Sequence, residues 1–131
     1  MINLFSKYKF FFYLCNFILI LLYLFPGSLL GCFLYNDCKL QPQITPDFIV
    51  STNHLYAFVV FSIIGYLSFK KLIQFIYLRI YLIFLSIILE ILQHFIPERS
   101  FEFPDLFGNL LGVIIVIITF YFLKKNENFK N

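Results

Sequence analysis

The chain has 131 residues, 61 % of them hydrophobic, 22 % aromatic and only 13 % charged, which is too apolar to cover a single water-soluble core and places it in the membrane class. Its net charge of +3 is dispersed over the ends of apolar runs rather than gathered into one stripe, so no nucleic-acid partner is expected. Long uncharged stretches, without the alternation of buried and exposed positions that a soluble domain shows, point to lipid as the solvent.

The first apolar run extends from about Tyr8 to Phe25, preceded by Lys7 and Lys9, interrupted by Asn16 and closed by the helix-stopping pair Pro26-Gly27. It also has features of a secretory signal, because Leu29-Leu30-Gly31-Cys32 loosely resembles a lipoprotein processing site. The run is longer than a signal core, and Pro26-Gly27 intervenes well before the cysteine, so an uncleaved anchor is the better reading. In the loop that follows, Cys32 and Cys38 would be bridged in an oxidising exterior or remain free thiols. They lack the usual ligand set for a metal, and no metal or cofactor is expected. Cys15 reads as a small apolar residue.

The second run is uncharged from Phe48 to Phe69, with a helix expected over about 51–69, opening near Ser51, Thr52 or Asn53 and ending before Lys70-Lys71. The third covers about 72–96, with Arg79 near one end, Glu90, Gln93 and His94 near the other, and Pro97 at its exit. The fourth covers about 105–123, with Pro104 and Asp105 suited to a first turn and Lys124-Lys125 beyond its far end. Each is close to the roughly 17 to 25 residues that a spanning helix needs. The expected architecture is therefore all-α, a four-helix transmembrane bundle forming a single membrane domain over residues 1–131.

Basic residues set the orientation, since positively charged connections stay on the cytoplasmic side. One side collects Lys7, Lys9, Lys70, Lys71, Lys124, Lys125 and Lys130, with Arg79 able to snorkel there, whereas the other has only Lys39 and Arg99. Both termini are expected in the cytoplasm. The loop from Gly27 to about Asn53 and the short loop from Pro97 to Pro104, which carry Asp37, Asp47, Glu98 and Glu102, are expected to face outward.

Chemistry concentrates near that outer face. Glu90, Gln93 and His94 fall at i, i+3 and i+4, so they share a helix face that must turn away from lipid. Asp105, Gly108, Asn109 and Gly112 form a second stripe, whose glycines permit close helix approach, and His54, Ala57, Phe61 and Gly65 form a third. These stripes predict one outer-leaflet pocket lined by His54, Glu90, Gln93 and Asn109 and rimmed by Arg99 and Asp105. Gln93 and Asn109, taken alone, read as helix-to-helix hydrogen bonders, while Glu90 is too costly in a membrane to be incidental, with His54 or Arg99 its expected partner. His94, Glu98 and Glu102 read as interfacial or solvated groups, and Arg79 as an anchor of the inner interface.

The same residues resemble the VanZ-like family of small bacterial membrane proteins. Its pattern of a histidine opening one helix, then Glu-x-x-Gln, an arginine after a proline, and Asp-x-x-x-Asn-x-x-Gly matches His54, then Glu90 and Gln93, then Pro97 and Arg99, then Asp105, Asn109 and Gly112. The resemblance covers about half the chain, from His54 to Val116. Val50 and Ser51 stand where family members often carry an acidic residue and a lysine, and Val116 replaces a frequent glycine. The resemblance implies residence in the bacterial cytoplasmic membrane and a cell-envelope role linked to tolerance of teicoplanin-type glycopeptides. Two functions compete. In one, the pocket binds or modifies the head group of a lipid or lipid-linked envelope precursor, with Arg99 holding an anionic group and Glu90 or His54 as candidate catalytic groups that handle a proton. In the other, the polar cluster only fixes the bundle of a noncatalytic protein that assembles with a second copy or another membrane protein. A transporter ranks third, for want of a repeated half.

Overall fold

Backbone amides in hydrocarbon must find partners within the chain, so long apolar runs there become helices. The computed structural model, described over residues 4–129, accordingly contains five helices and, among the described residues, no strand. They are α1 (Leu4–Leu24), α2 (Leu29–Tyr35), α3 (Thr52–Ser68), α4 (Leu72–Gln93) and α5 (Phe103–Phe129). Three of them, α1, α4 and α5, are long and apolar enough to cross a membrane; α3, with 17 residues, is apolar but shorter.

The long helices alternate in direction and leave two poles. At one pole Ser68 donates its hydroxyl to the Tyr8 carbonyl (3.0 Å), Lys9 stands over the Phe69 ring and Lys124 over the Phe75 ring, which brings the start of α1, the α3–α4 junction and the far part of α5 together. Arg79 donates to the Tyr66 hydroxyl at the same end (3.1 Å). At the other pole Ser51 N–H donates to the Pro104 carbonyl (3.1 Å), tying the starts of α3 and α5, and Arg99 reaches the end of α1. The basic residues are thus segregated as their positions in the sequence suggest, except that Lys130 lies outside the described residues.

The core runs between α3, α4 and α5 through Phe58, Leu82, Leu89 and Val113, and Phe12 and Leu19 of α1 close its flank. The most extensive contact is between α3 and α5. Its closeness follows from two glycines. A Cβ on Gly108 would stand 2.6 Å from the Ser51 carbonyl oxygen, and one on Gly112 would stand 2.7 Å from that of Leu55. At Gly65 the nearest atoms are instead side-chain ends, Leu78 Cδ1 at 3.0 Å and Phe12 Cε2 at 3.1 Å.

Three helices differ from the sequence expectation by more than a residue at an end. The third helix ends at Gln93 rather than 96, because His94, Phe95 and Ile96 switch to i→i−3 hydrogen bonds ahead of Pro97, which disfavours α geometry in the preceding residue. The fourth begins at Phe103 and runs past Leu123 to Phe129, because Lys124 and Lys125 are good helix formers and nothing there breaks the hydrogen-bond ladder. The first begins at Leu4, before the basic pair that was expected to precede it.

The loop after α1 holds a helix that apolar periodicity did not reveal. Ser28 caps α2 by accepting from Gly31 N–H (2.9 Å), and Asn36 ends it in a left-handed conformation (φ 52°). The returning chain then packs so tightly on Gly31 that a Cβ there would collide with the Leu40 carbonyl, and Cys32 is disulfide-bonded to Cys38. Farther on, Asp47 Oδ1 accepts from Thr52 N–H (2.9 Å) and from Gln43 Nε2 (2.7 Å), so one carboxylate both caps α3 and pins the loop. The Thr52 amide holds the Asp47 carboxyl below the usual carboxylate range.

Two outcomes follow. Gly112→Ala lowers the unfolding midpoint in detergent more than Gly65→Ala, by the roughly 1–3 kcal/mol typical of overpacking, since a backbone oxygen cannot yield as a leucine terminus can. Because the folded-state pKa of Asp47 is depressed, its cap is intact above the ordinary carboxylate pKa and fails as pH falls through the folded value. Exchange of the Thr52 amide should therefore speed up on acidification, after correction for intrinsic rates, and Asp47→Asn should abolish that dependence.

Candidate functional site

The pole away from the clustered lysines gathers polar side chains from four helices. His54 lies in the first turn of α3, Glu90 and Gln93 in the last turn of α4, Asp105 and Asn109 in the first two turns of α5, and Tyr23 at the end of α1. Glu90, Gln93 and Asn109 are buried, while His54 and Asp105 are nearly so, at 14 % and 19 % side-chain exposure.

Two hydrogen-bonded groups can be separated. The first centres on Tyr23. Its hydroxyl donates to Asn109 Oδ1 (2.6 Å), Asn109 Nδ2 donates to the Ser86 carbonyl (3.1 Å), and Gln93 Nε2 donates to the Tyr23 carbonyl (3.1 Å). The Tyr23 ring also meets His54 and Phe58 edge-on, with centroids 5.1 and 5.7 Å apart. This set joins α1, α4 and α5 with directional bonds. Gln93 and Asn109 serve here as helix-to-helix bonders.

The second group is ionisable. His54 Nδ1 lies 2.8 Å from Ser51 Oγ and 3.3 Å from Asp105 Oδ1. Glu90 Oε1 accepts from Glu102 N–H (3.0 Å), just before α5 begins, while its Oε2 is buried with no hydrogen-bond partner. One ligand-type atom from each of His54, Glu90 and Asp105 falls within 4.8 Å of the others. Of Glu90's two expected partners, His54 belongs to this set, and Arg99 makes no ion pair with Glu90 within 4.0 Å. Among the described residues, these three, and not the cysteines, are the set whose donor atoms could hold a metal.

Arg99, expected on the rim of the pocket, also reaches back to α1. Its Nε donates to the Phe25 carbonyl (3.2 Å) and its Nη2 to that of Leu22 (3.0 Å), so the guanidinium caps the C-terminal end of α1 where the helix leaves carbonyls unpaired. Burial pulls its pKa down, with Tyr23, Asp105 and Glu90 opposing that effect.

A cleft of about 450 Å³ opens between α1 and α3 under the 28–44 segment. His54, Gln93 and Arg99 line it, together with Leu19, Val60 and Ile64; Glu90, Asn109 and Asp105 do not. The single pocket expected from the helical stripes is therefore divided into a cleft and a packed cluster that share His54. The cause is the glycine-mediated approach of α5 to α3, which leaves no open space beside Asn109. Tyr23 escaped notice because one tyrosine among nine in an apolar run carries no periodic signal.

No protein-family model matches the chain, and neither a curated protein nor a solved structure matches it. The fold and the site define it as an all-helical membrane protein with three helices long enough to cross a bilayer.

Tyr23→Phe leaves Asn109 Oδ1 buried without its donor and should cost about 1–3 kcal/mol. Thermal unfolding of the purified protein measures this, with Tyr121→Phe, at an exposed site, leaving the midpoint unchanged.

Proposed function

We propose that the chain is a four-span protein of the bacterial cytoplasmic membrane, with both termini in the cytoplasm, that holds the polar head of an envelope lipid or lipid-linked precursor in the α1–α3 cleft. The observation that carries this reading is the polarity gradient of the cleft. Arg99, His54 and Gln93 line it at the pole, and Leu19, Val60 and Ile64 continue it into the apolar part of the helices. A head group with acyl or prenyl chains has the same gradient, and Arg99 offers an anionic group its charge complement.

The span count and orientation rest on separate supports. At 17 residues α3 reaches about 26 Å, close to the roughly 30 Å hydrocarbon thickness. Lysines crowd the pole opposite the cleft, which suits a cytoplasmic face, and the Cys32–Cys38 bridge suits an oxidising exterior on the cleft side. Resemblance to the VanZ-like family, through His54, Glu90, Gln93, Arg99, Asp105, Asn109 and Gly112, supports an envelope role tied to glycopeptide tolerance of the teicoplanin type.

A second reading, a noncatalytic assembly protein whose polar groups fix helix packing, draws on Gln93 and Asn109, both engaged in bonds between helices. The two readings separate on Val60→Trp. Val60 is exposed and lines the cleft, so an indole there occludes the apolar channel and leaves the polar bonds intact. Native mass spectrometry of gently extracted protein should then show co-purifying lipid falling several-fold with an unchanged unfolding midpoint. Lipid content equal to the parent protein would leave only the assembly reading.

A further inference from the structure

We propose that His54, Glu90 and Asp105 form a binding site for one divalent metal ion of the zinc or manganese class. This inference is independent of lipid in the cleft and stands whether or not a lipid binds there.

Geometry is the first support. The three side chains come from three different helices, yet a ligand-type atom of each lies within 4.8 Å of the other two. Nδ1 of His54 and Oδ1 of Asp105 are already 3.3 Å apart. With metal–ligand bonds of about 2.1 Å, the edge of a tetrahedral ion is about 3.4 Å, so the spacing of this pair already fits and Glu90 needs to close by up to about 1.4 Å. Ser51 Oγ is hydrogen-bonded to the same Nδ1 at 2.8 Å, a bond that yields to the ion when Nδ1 ligates it.

The second support is an unpartnered atom. Glu90 is fully buried, and its Oε1 is satisfied by the Glu102 amide, but Oε2 has no donor of any kind. An unsatisfied buried acceptor is destabilising, and more so when it is charged. A metal ion held by the three residues would give the Glu90 carboxylate the second partner the protein does not.

Charge is the third. Two carboxylates converge in a low-dielectric region, and among the described residues no lysine or arginine nitrogen comes within 4.0 Å of either. Arg99, the cation nearest in effect, has two of its nitrogens committed to the carbonyls of α1. A dication neutralises both acids at once, as bound ions commonly do where they are the largest local charge. One imidazole with two carboxylates is a borderline-to-hard donor set, suited to zinc or manganese rather than to copper(I) or calcium.

The test uses Mn²⁺ as the probe, titrated into the full-length, chelator-treated protein in phosphatidylcholine nanodiscs and followed by electron paramagnetic resonance. The expected result is loss of free-ion signal equivalent to one Mn²⁺ per chain, with nitrogen hyperfine coupling from one imidazole. That coupling disappears in His54→Ala and survives in His94→Ala. Glu90→Gln and Asp105→Asn weaken binding by about tenfold or more, as loss of a ligand-shell group does, and Glu98→Gln leaves it unchanged. Should Glu90→Gln fail to fold, the nitrogen coupling of the unmodified protein decides the matter. An undiminished free-ion signal, bound Mn²⁺ without nitrogen coupling, or coupling that persists in His54→Ala would overturn the assignment.

Discussion

Hydrocarbon offers no hydrogen bonds, so each polar atom held at depth has to be answered by another atom of the chain. The consequences of that constraint can be followed from residue to residue. Asn109 could not lie in the α3–α5 seam without the Tyr23 hydroxyl on one side and the Ser86 carbonyl on the other. Gln93 could not face inward without the Tyr23 carbonyl, and α1 could not end beside α4 without Arg99 over its last carbonyls. Tyr23, Gln93, Arg99 and Asn109 do for α1 what apolar packing alone does poorly in lipid, where leucine gains little by leaving one apolar surface for another. The polar pole is in that sense the clasp of the fold, and its positions are fixed before any ligand arrives.

The second determinant is the unequal tightness of the helix contacts. Gly108 and Gly112 let α5 approach α3 until a single added carbon would strike backbone oxygen, whereas α1 meets α3 through larger side chains such as Phe12 against Phe61. Space is therefore removed from one side of α3 and left on the other. His54, at the start of α3, faces both consequences: its Nδ1 meets the acids of the tight side, and its ring forms part of the cleft wall on the loose side. A single residue thus borders both the acid cluster and the cleft.

Much of this was legible in the sequence, for identifiable reasons. Uncharged runs marked the long helices, because the lipid constraint is strong and local. Spacing at i, i+3 and i+4 placed Glu90 with Gln93 and Asp105 with Asn109, because helix geometry fixes which residues share a face. What stayed hidden depended on distances between elements. The spacing could not say that Arg99 would turn back to α1, since the turn that aims it depends on Glu98 adopting a left-handed conformation, φ 62°. It could not single out Tyr23, nor show that glycine contact would expel the cavity from around Asn109. The helix at Leu29–Tyr35 escaped because its seven residues are held by Ser28, Asn36 and the chain returning over Gly31 rather than by a periodic apolar face.

The two poles also differ in how they accommodate charge, and this difference bears on why the acids are there. Lysine and arginine have long stems, so Lys124 can lie along Phe75 and Arg79 can meet the Tyr66 hydroxyl while their charge stays near the polar boundary. Glutamate and aspartate have no such reach. Once the backbone commits Glu90 to the inner face of α4, its carboxylate must remain where the helix puts it, and a glutamine would accept the Glu102 amide equally well through its carbonyl. Structural bonding alone thus accounts for one oxygen of Glu90 and leaves the second unexplained, while His54 and Asp105 each place a ligand-type atom within 4.8 Å of a carboxylate oxygen of Glu90. A cation answers all three groups together, whereas helix packing answers them only in part.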